Sequence, residues 1–187
     1  MKYEYYLPEN VSAEVVRTVR ERIGISQREF AQLLRVSKST IERWEAGDEP
    51  VTGPIVMLTY LLRLFPELAE EIRIPEMKTP LRLWYYHNDL LCSLIDVDDV
   101  RQRVYVKNYI DNIYFRAFGA LDKPDYEAYQ AFLRSRCFPE ERDMVKLELE
   151  KLGLPFYDPM MIIEKTEGRM AEDNFWIRIE RNYDRIV

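Results

Sequence analysis

The sequence predicts two folded units: an all-α unit of five short helices over residues 1–74 and, after a linker at 75–80, an α+β unit with a small antiparallel sheet over 81–187. Three observations carry this. From Ser12 to about Ile74 the apolar residues recur with helical period, broken by polar punctuation and almost free of β-branched alternation. The next stretch, IPEMKTP, holds two prolines and no apolar periodicity, as a linker does. Beyond it LRLWYY, LLCSLIDV and RVYVKNY are short aromatic and β-branched runs bounded by HND and DVDD, the pattern of a three-stranded antiparallel meander. With 187 residues, 47% apolar and 13% aromatic, the chain can bury two small cores and is too apolar to be disordered.

Each element has a local reason. Val15, Val19 and Ile23, four apart, give the first helix an apolar stripe, and Gly24 stops it. Ser26 followed by Glu29 is a capping box for the second helix, whose inward residues are Phe30, Leu33 and Leu34. A turn at Arg35-Val36 leads to Ser37, the N-cap of a third helix with Ile41 and Trp44 inward and Lys38, Ser39, Glu42 and Arg43 outward. Pro54 opens a fourth helix with two apolar stripes: Ile55, Leu58, Leu62 and Phe65 on one side, Met57, Leu61 and Leu64 partly on another. In the second unit Pro124-Asp125 opens one helix with Pro in its first turn. Pro139 opens another that ends at Gly153, and NFWIRIE alternates as a strand returning to the sheet would.

Two short helices joined by a tight turn, the second with small polar side chains and an arginine on its free face, are the elements of a helix-turn-helix. The run ISQREFAQLLRVSKSTIERWEAG resembles the second and third helices of the Cro/C1 (Xre) regulators, a lambda-repressor-like fold. Extended through VTGPIVMLTYLLRLFPELAEEI, it is similar to the DNA-binding half of MqsA-type antitoxins. The resemblance implies that Gln27 and Arg28 sit on a phosphate at a helix N-terminus. It implies that Ser39 and Arg43 read base edges, arginine suiting guanine, and that Ser37, Lys38 and Thr40 make further contacts, toward phosphate rather than bases. Beside these stand plainer roles: Ser37 as a cap only, Arg43 paired only with Glu42, Trp44 as core. Two features depart from the family pattern. Arg35 stands where the turn usually has glycine, which asks an L-residue for positive φ. Asp48-Glu49 follows the recognition helix where relatives often carry basic residues. Residues 1–74 hold 10 basic and 12 acidic side chains, so DNA contact is expected through few phosphates. The second stripe, Met57, Leu61 and Leu64, is assigned to a homodimer interface because such regulators read two half-sites; packing on the chain's own second unit is the competing use.

The formal net charge of −6 excludes a polybasic chain that coats nucleic acid or membrane. Cys92 and Cys137, far apart and outside any CxxC, fit a reducing cytosol and no zinc site. The start MKYEYYLPEN has no basic n-region or apolar h-region, and no run of 18 apolar residues follows, so a soluble cytoplasmic protein is expected, without membrane partners. His87 is the only histidine, Asp96, Asp98 and Asp99 lack EF-hand spacing, and there is no phosphate-binding glycine loop. The expectation is therefore no enzyme, no metal and no cofactor. Tyr105, Tyr109, Tyr114, Phe115, Phe118, Tyr126, Tyr129 and Phe132, interleaved with arginine, suit either a core or a protein-binding surface. The stretch from FLRSRCFPEERD to DNFWI resembles segments of proteins from bacterial toxin–antitoxin loci, some HipA-like, without the motifs of that kinase. Together these readings predict a dimeric repressor of double-stranded DNA with a palindromic operator, the antitoxin of a type II system that silences its own operon and binds a cognate toxin. The alternatives are a regulator whose second unit senses a small ligand, and a second unit that is itself a toxic enzyme.

Overall fold

The computed structural model describes residues 6–182 and divides the chain into two compact units, Met1–Ile74 and Pro75–Val187. The first unit runs β1 (Asn10–Val11), α1 (Ala13–Arg22), α2 (Gln27–Leu34), α3 (Lys38–Ala46), β2 (Val51–Thr52), α4 (Pro54–Leu64) and α5 (Leu68–Glu71). All five expected helices form, and β1 and β2 pair as a short antiparallel ribbon that the sequence pattern does not announce.

Caps fix the helix starts. Ser12, Ser26 and Ser37 each accept a hydrogen bond from the backbone three residues on, and Ser26 and Glu29 close a full capping box. The end of α2 is a Schellman motif: Arg35 N–H donates to Gln32 O and Val36 N–H to Ala31 O, with Arg35 at φ 56°. Gly24 and Gly153 end their helices with the same bond pattern, so Arg35 occupies a position that glycine fills elsewhere in this chain. The core gathers Val16, Val19, Phe30, Ala31, Ile41, Ile55, Val56 and Leu62. The stripe of α1 is thus turned by one residue from the expected set: Val16 and Val19 are buried, while Val15 and Ile23 flank them. In α4 the helix ends at Leu64, and Phe65 leaves the helical path at φ −130°, ψ 71°, so it stays half exposed instead of completing the inner stripe.

The second unit contains β3 (Leu81–His87), β4 (Leu90–Asp98), β5 (Arg103–Asn108), a 3₁₀ turn at Ile113–Phe115, α6 (Tyr126–Ser135), α7 (Val145–Leu152), α8 (Pro159–Thr166) and β6 (Phe175–Arg181). The expected three-strand meander becomes a four-stranded antiparallel sheet ordered β5-β4-β3-β6, with β6 against β3 in the register Trp84↔Arg178. Alternation sorts the strands into two faces. Leu81, Leu83, Tyr85, Ile95, Val97 and Ile177 point into one core with Tyr129, Phe132 and Leu133 of α6, Leu149 of α7, and Ile162 and Ile163 of α8. Arg82, Trp84, Tyr86, Asp96, Trp176 and Arg178 lie on the other face. Two expected helix starts move. Asp125 caps α6 with its carboxylate on Ala128 N–H, so Pro124 precedes the helix. Pro139 opens only a turn, and α7 begins at Val145 after Met144 adopts φ 63°. Arg136, just beyond α6, clamps this core: its guanidinium donates to both Asp173 oxygens (2.6 and 3.0 Å) and to Gly168 O, beneath the rings of Tyr85 and Phe175.

Candidate nucleic-acid interface

The outward face of α3 rests on a buried ion cluster. Glu45, one helical turn past Ile41, is only 3% exposed although it is charged. Arg20 of α1 grips it bidentately (Nε–Oε1 2.6 Å, Nη2–Oε2 3.0 Å), Gln27 of α2 donates to Oε2 at 2.9 Å, and Arg17 donates to the Glu45 carbonyl at 2.6 Å. One carboxylate therefore ties three helices together. Burial pushes the Glu45 carboxyl up, but the hydrogen bonds from Arg20 and Gln27 and the charges of Arg20 and Arg17 outweigh it and hold the group below the ordinary carboxylate range. The hydrogen bond to Glu45 likewise raises Arg20. Sequence reasoning missed Glu45 because a glutamate between a tryptophan and an alanine reads as solvent-facing; the available signal was its i+4 position from Ile41, on the buried stripe.

This cluster changes the expected phosphate site. Gln27 and Arg28 were expected to reach a phosphate together, yet the Gln27 amide turns inward because a buried carboxylate needs donors. Arg28 alone of the two is exposed, without a side-chain partner among the described residues.

At the start of α3, Ser37 Oγ caps Thr40 N–H and shares hydrogen bonds of 2.8 Å with the hydroxyls of Ser39 and Thr40. Ser39 is thus exposed but tethered. Lys38 pairs with Glu42 at 2.7 Å, an exposed i,i+4 bridge that a competing phosphate can displace at little cost. Because Lys38 takes Glu42, Arg43 does not: its guanidinium is exposed and bonded to no side chain among the described residues. Trp44 packs at the edge of the core. Gly47 ends the helix in an extended conformation where a Cβ would stand 2.9 Å from Arg43 O, so closeness of backbone rather than positive φ requires glycine. Asp48 and Glu49 follow, exposed.

On α4, Met57 (46%) and Leu64 (53%) are exposed and Leu61 is half-buried. Leu64 also borders a groove of about 700 Å³ with Leu7, Val11, Val15, Val56 and Tyr60. The inner stripe buries Ile55 and Leu62, so the outer one remains uncovered among the described residues of this unit. Of the second unit's residues singled out from sequence, His87 ends β3 half-buried against Phe115 and Phe175. Asp96 and Asp98 belong to β4, paired with Arg82 and Arg101.

A capped helix laid against a preceding one, with its outer face held free by a buried anchor, is the arrangement that enters the major groove in helix-turn-helix proteins. Residues 13–65 match the family model described as a helix-turn-helix domain, and this segment of the first unit is a helix-turn-helix. Over 63 residues the chain is 35% identical to Antitoxin HigA-2 of Vibrio cholerae (serotype O1, strain ATCC 39315 / El Tor Inaba N16961), which covers 34% of this chain and 61% of that relative. No helix among the described residues is long and apolar enough to cross a membrane.

Proposed function

We propose that this chain is a sequence-specific DNA-binding repressor, the antitoxin of a type II toxin–antitoxin system that silences its own operon. It acts in the cytoplasm as a homodimer on a palindromic operator, needs no cofactor or metal and is not an enzyme. The observation that carries the reading is α3: Arg43 stands unengaged on a helix that Glu45 fixes to α1 and α2, inside a domain that matches the helix-turn-helix model. Likeness to an antitoxin supports the toxin partner, which falls to the second unit. A planar guanidinium held this way can meet guanine O6 and N7 together, worth about 1–3 kcal/mol against a wrong base.

The test uses the full chain and DNA from upstream of its own gene. Retardation of that fragment at concentrations that leave random DNA free is expected, together with rescue from growth arrest when the chain is co-expressed with the product of the adjoining gene. Equal affinity for both DNAs removes the repressor reading. An adjoining gene whose product is harmless removes the antitoxin reading and leaves the repressor standing.

A further inference from the structure

The four-stranded sheet of the second unit ends in two edge strands, β6 and β5, and the fold treats them differently. An edge strand presents unpaired backbone donors and acceptors, which natural sheets cover, bulge or shorten against pairing with another chain. At β6 the edge is closed: Ile177 N–H donates to Glu167 O at 2.7 Å, and Arg181 pairs with Glu164 of α8 alongside it. At β5 it is not. Tyr109 N–H donates to Cys92 O at 2.9 Å, which fixes the phase of the ladder: Arg103, Tyr105 and Lys107 turn their backbone groups to β4, and Val104, Val106 and Asn108 turn theirs outward. No group among the described residues bonds these outward N–H and C=O groups. The strand holds no proline, and its register with β4 runs without a bulge from Arg103 to Asn108.

The side chains of β5 decide which strand fits this edge. Arg103, Tyr105 and Lys107 lie on the sheet face turned away from α6, followed by Tyr109, whose ring centroid is 5.0 Å from Lys107 Nζ. Val104 and Val106 pack against the core from the other face. An antiparallel second copy bonds only if outward residues meet outward residues, so its dyad must fall on a residue of the strand. A dyad at Tyr105 sets Arg103 against the second copy's Lys107, and a dyad at Lys107 sets the two lysines face to face; like charges directly opposite are destabilising. A dyad at Val106 has neither fault. It sets Tyr105 against the second copy's Lys107, Arg103 against its Tyr109, Val104 against its Asn108, and Val106 against itself. Both cations then meet aromatic rings, and like charges never face each other.

We propose that β5 pairs antiparallel with β5 of a second copy of this chain, with the dyad at Val106, joining two four-stranded sheets into one. This contact lies in the second unit, apart from the surface assigned to α4, and goes beyond the proposed function. One strand pair buries less than the roughly 1,200 Å² of a standard stable interface, so the contact forms at high concentration or between copies already held close together. The test uses the full chain carrying Met57→Lys with Leu64→Lys, which charges the α4 surface, and follows ¹⁵N-resolved amide exchange from micromolar to millimolar protein. Exchange at Val104, Val106 and Asn108 is expected to slow as concentration rises, whereas Tyr105 and Lys107, bonded to β4, stay protected throughout. Tyr105 is 55% exposed, so its replacement leaves the sheet intact. Tyr105→Lys should weaken the association about three- to tenfold and Tyr105→Glu strengthen it by a similar factor, since each change acts at both symmetry-related pairs with Lys107. Concentration-independent exchange at the three outward amides, or the same response from both Tyr105 variants, overturns the proposal. Protection that appears only when the product of the adjoining gene is added also overturns it and assigns the edge to that partner.

Discussion

Glu45 shows how much one residue can determine in a domain of this size. Removing one partner of a buried ion pair strands the other charge, which typically costs about 3–5 kcal/mol. Glu45→Ala is therefore expected to destabilise the first unit by that amount in chemical denaturation, with Arg20→Ala close behind. The carboxyl is held below its ordinary value of 4.5, so the stability it contributes is complete above that pH and drains away as acid protonates the folded state. Glu45→Gln should flatten the pH dependence of stability below about 4.5; an unchanged acid limb would show that the cluster contributes little. The exposed pair on α3 is expected to behave differently. Arg43→Ala should relax specificity at one base step of each half-site, whereas Lys38→Ala should weaken binding to every sequence alike. Competition assays against single-base operator variants separate the two, and matching losses on operator and random DNA for both would refute the assignment.

At the scale of elements, the junction between α2 and α3 and the outer stripe of α4 make the sharpest predictions. Arg35 holds φ 56° in a Schellman turn that elsewhere in the chain uses glycine. Replacing it with glycine should raise the stability of the first unit by about 1 kcal/mol if the arginine side chain contributes nothing to the fold. A loss of operator affinity in that stabilised variant would reveal a phosphate contact at the turn. The α4 stripe is already split by the fold. Ile55 and Leu62 are committed to the core, and Met57 and Leu64 face outward. Charging the outer pair, as in Met57→Lys with Leu64→Lys, is expected to convert a homodimer to monomers in sedimentation while leaving the helical content unchanged. A wild-type monomer at micromolar concentration would remove this interface altogether.

For the whole molecule the net charge of −6 and the slight acidic excess of residues 1–74 bear on how DNA is held. Each phosphate neutralised contributes about −0.9 to the slope of log affinity against log salt. With Gln27 drawn inward and Asp48-Glu49 beside the recognition helix, the slope is expected to be shallower than about −8, and a steeper one in salt titrations contradicts a mode that relies on base contacts and dimerisation. Much of the architecture was legible beforehand. The five helices, the capping box at Ser26–Glu29 and the alternating strands follow from periodicity and capping chemistry, which act over a few residues. The positive φ of Arg35 was legible for the same reason, since the turn's bond pattern is local.

What depended on distant partners was not legible. Periodicity marked NFWIRIE as a strand, but only the sheet puts it beside β3, where Arg178 meets Trp84 across 94 positions of chain. Likewise the sequence by itself determined that α3 has an outward face of Lys38, Ser39, Glu42 and Arg43, because helical geometry fixes which residues share a side. Only the tertiary structure decided that Glu45 is buried and that Gln27 serves it instead of facing outward. The physical reason is that a polar side chain's role depends on which donors and charges the fold brings within about 3 Å of it, and no local pattern encodes that distance.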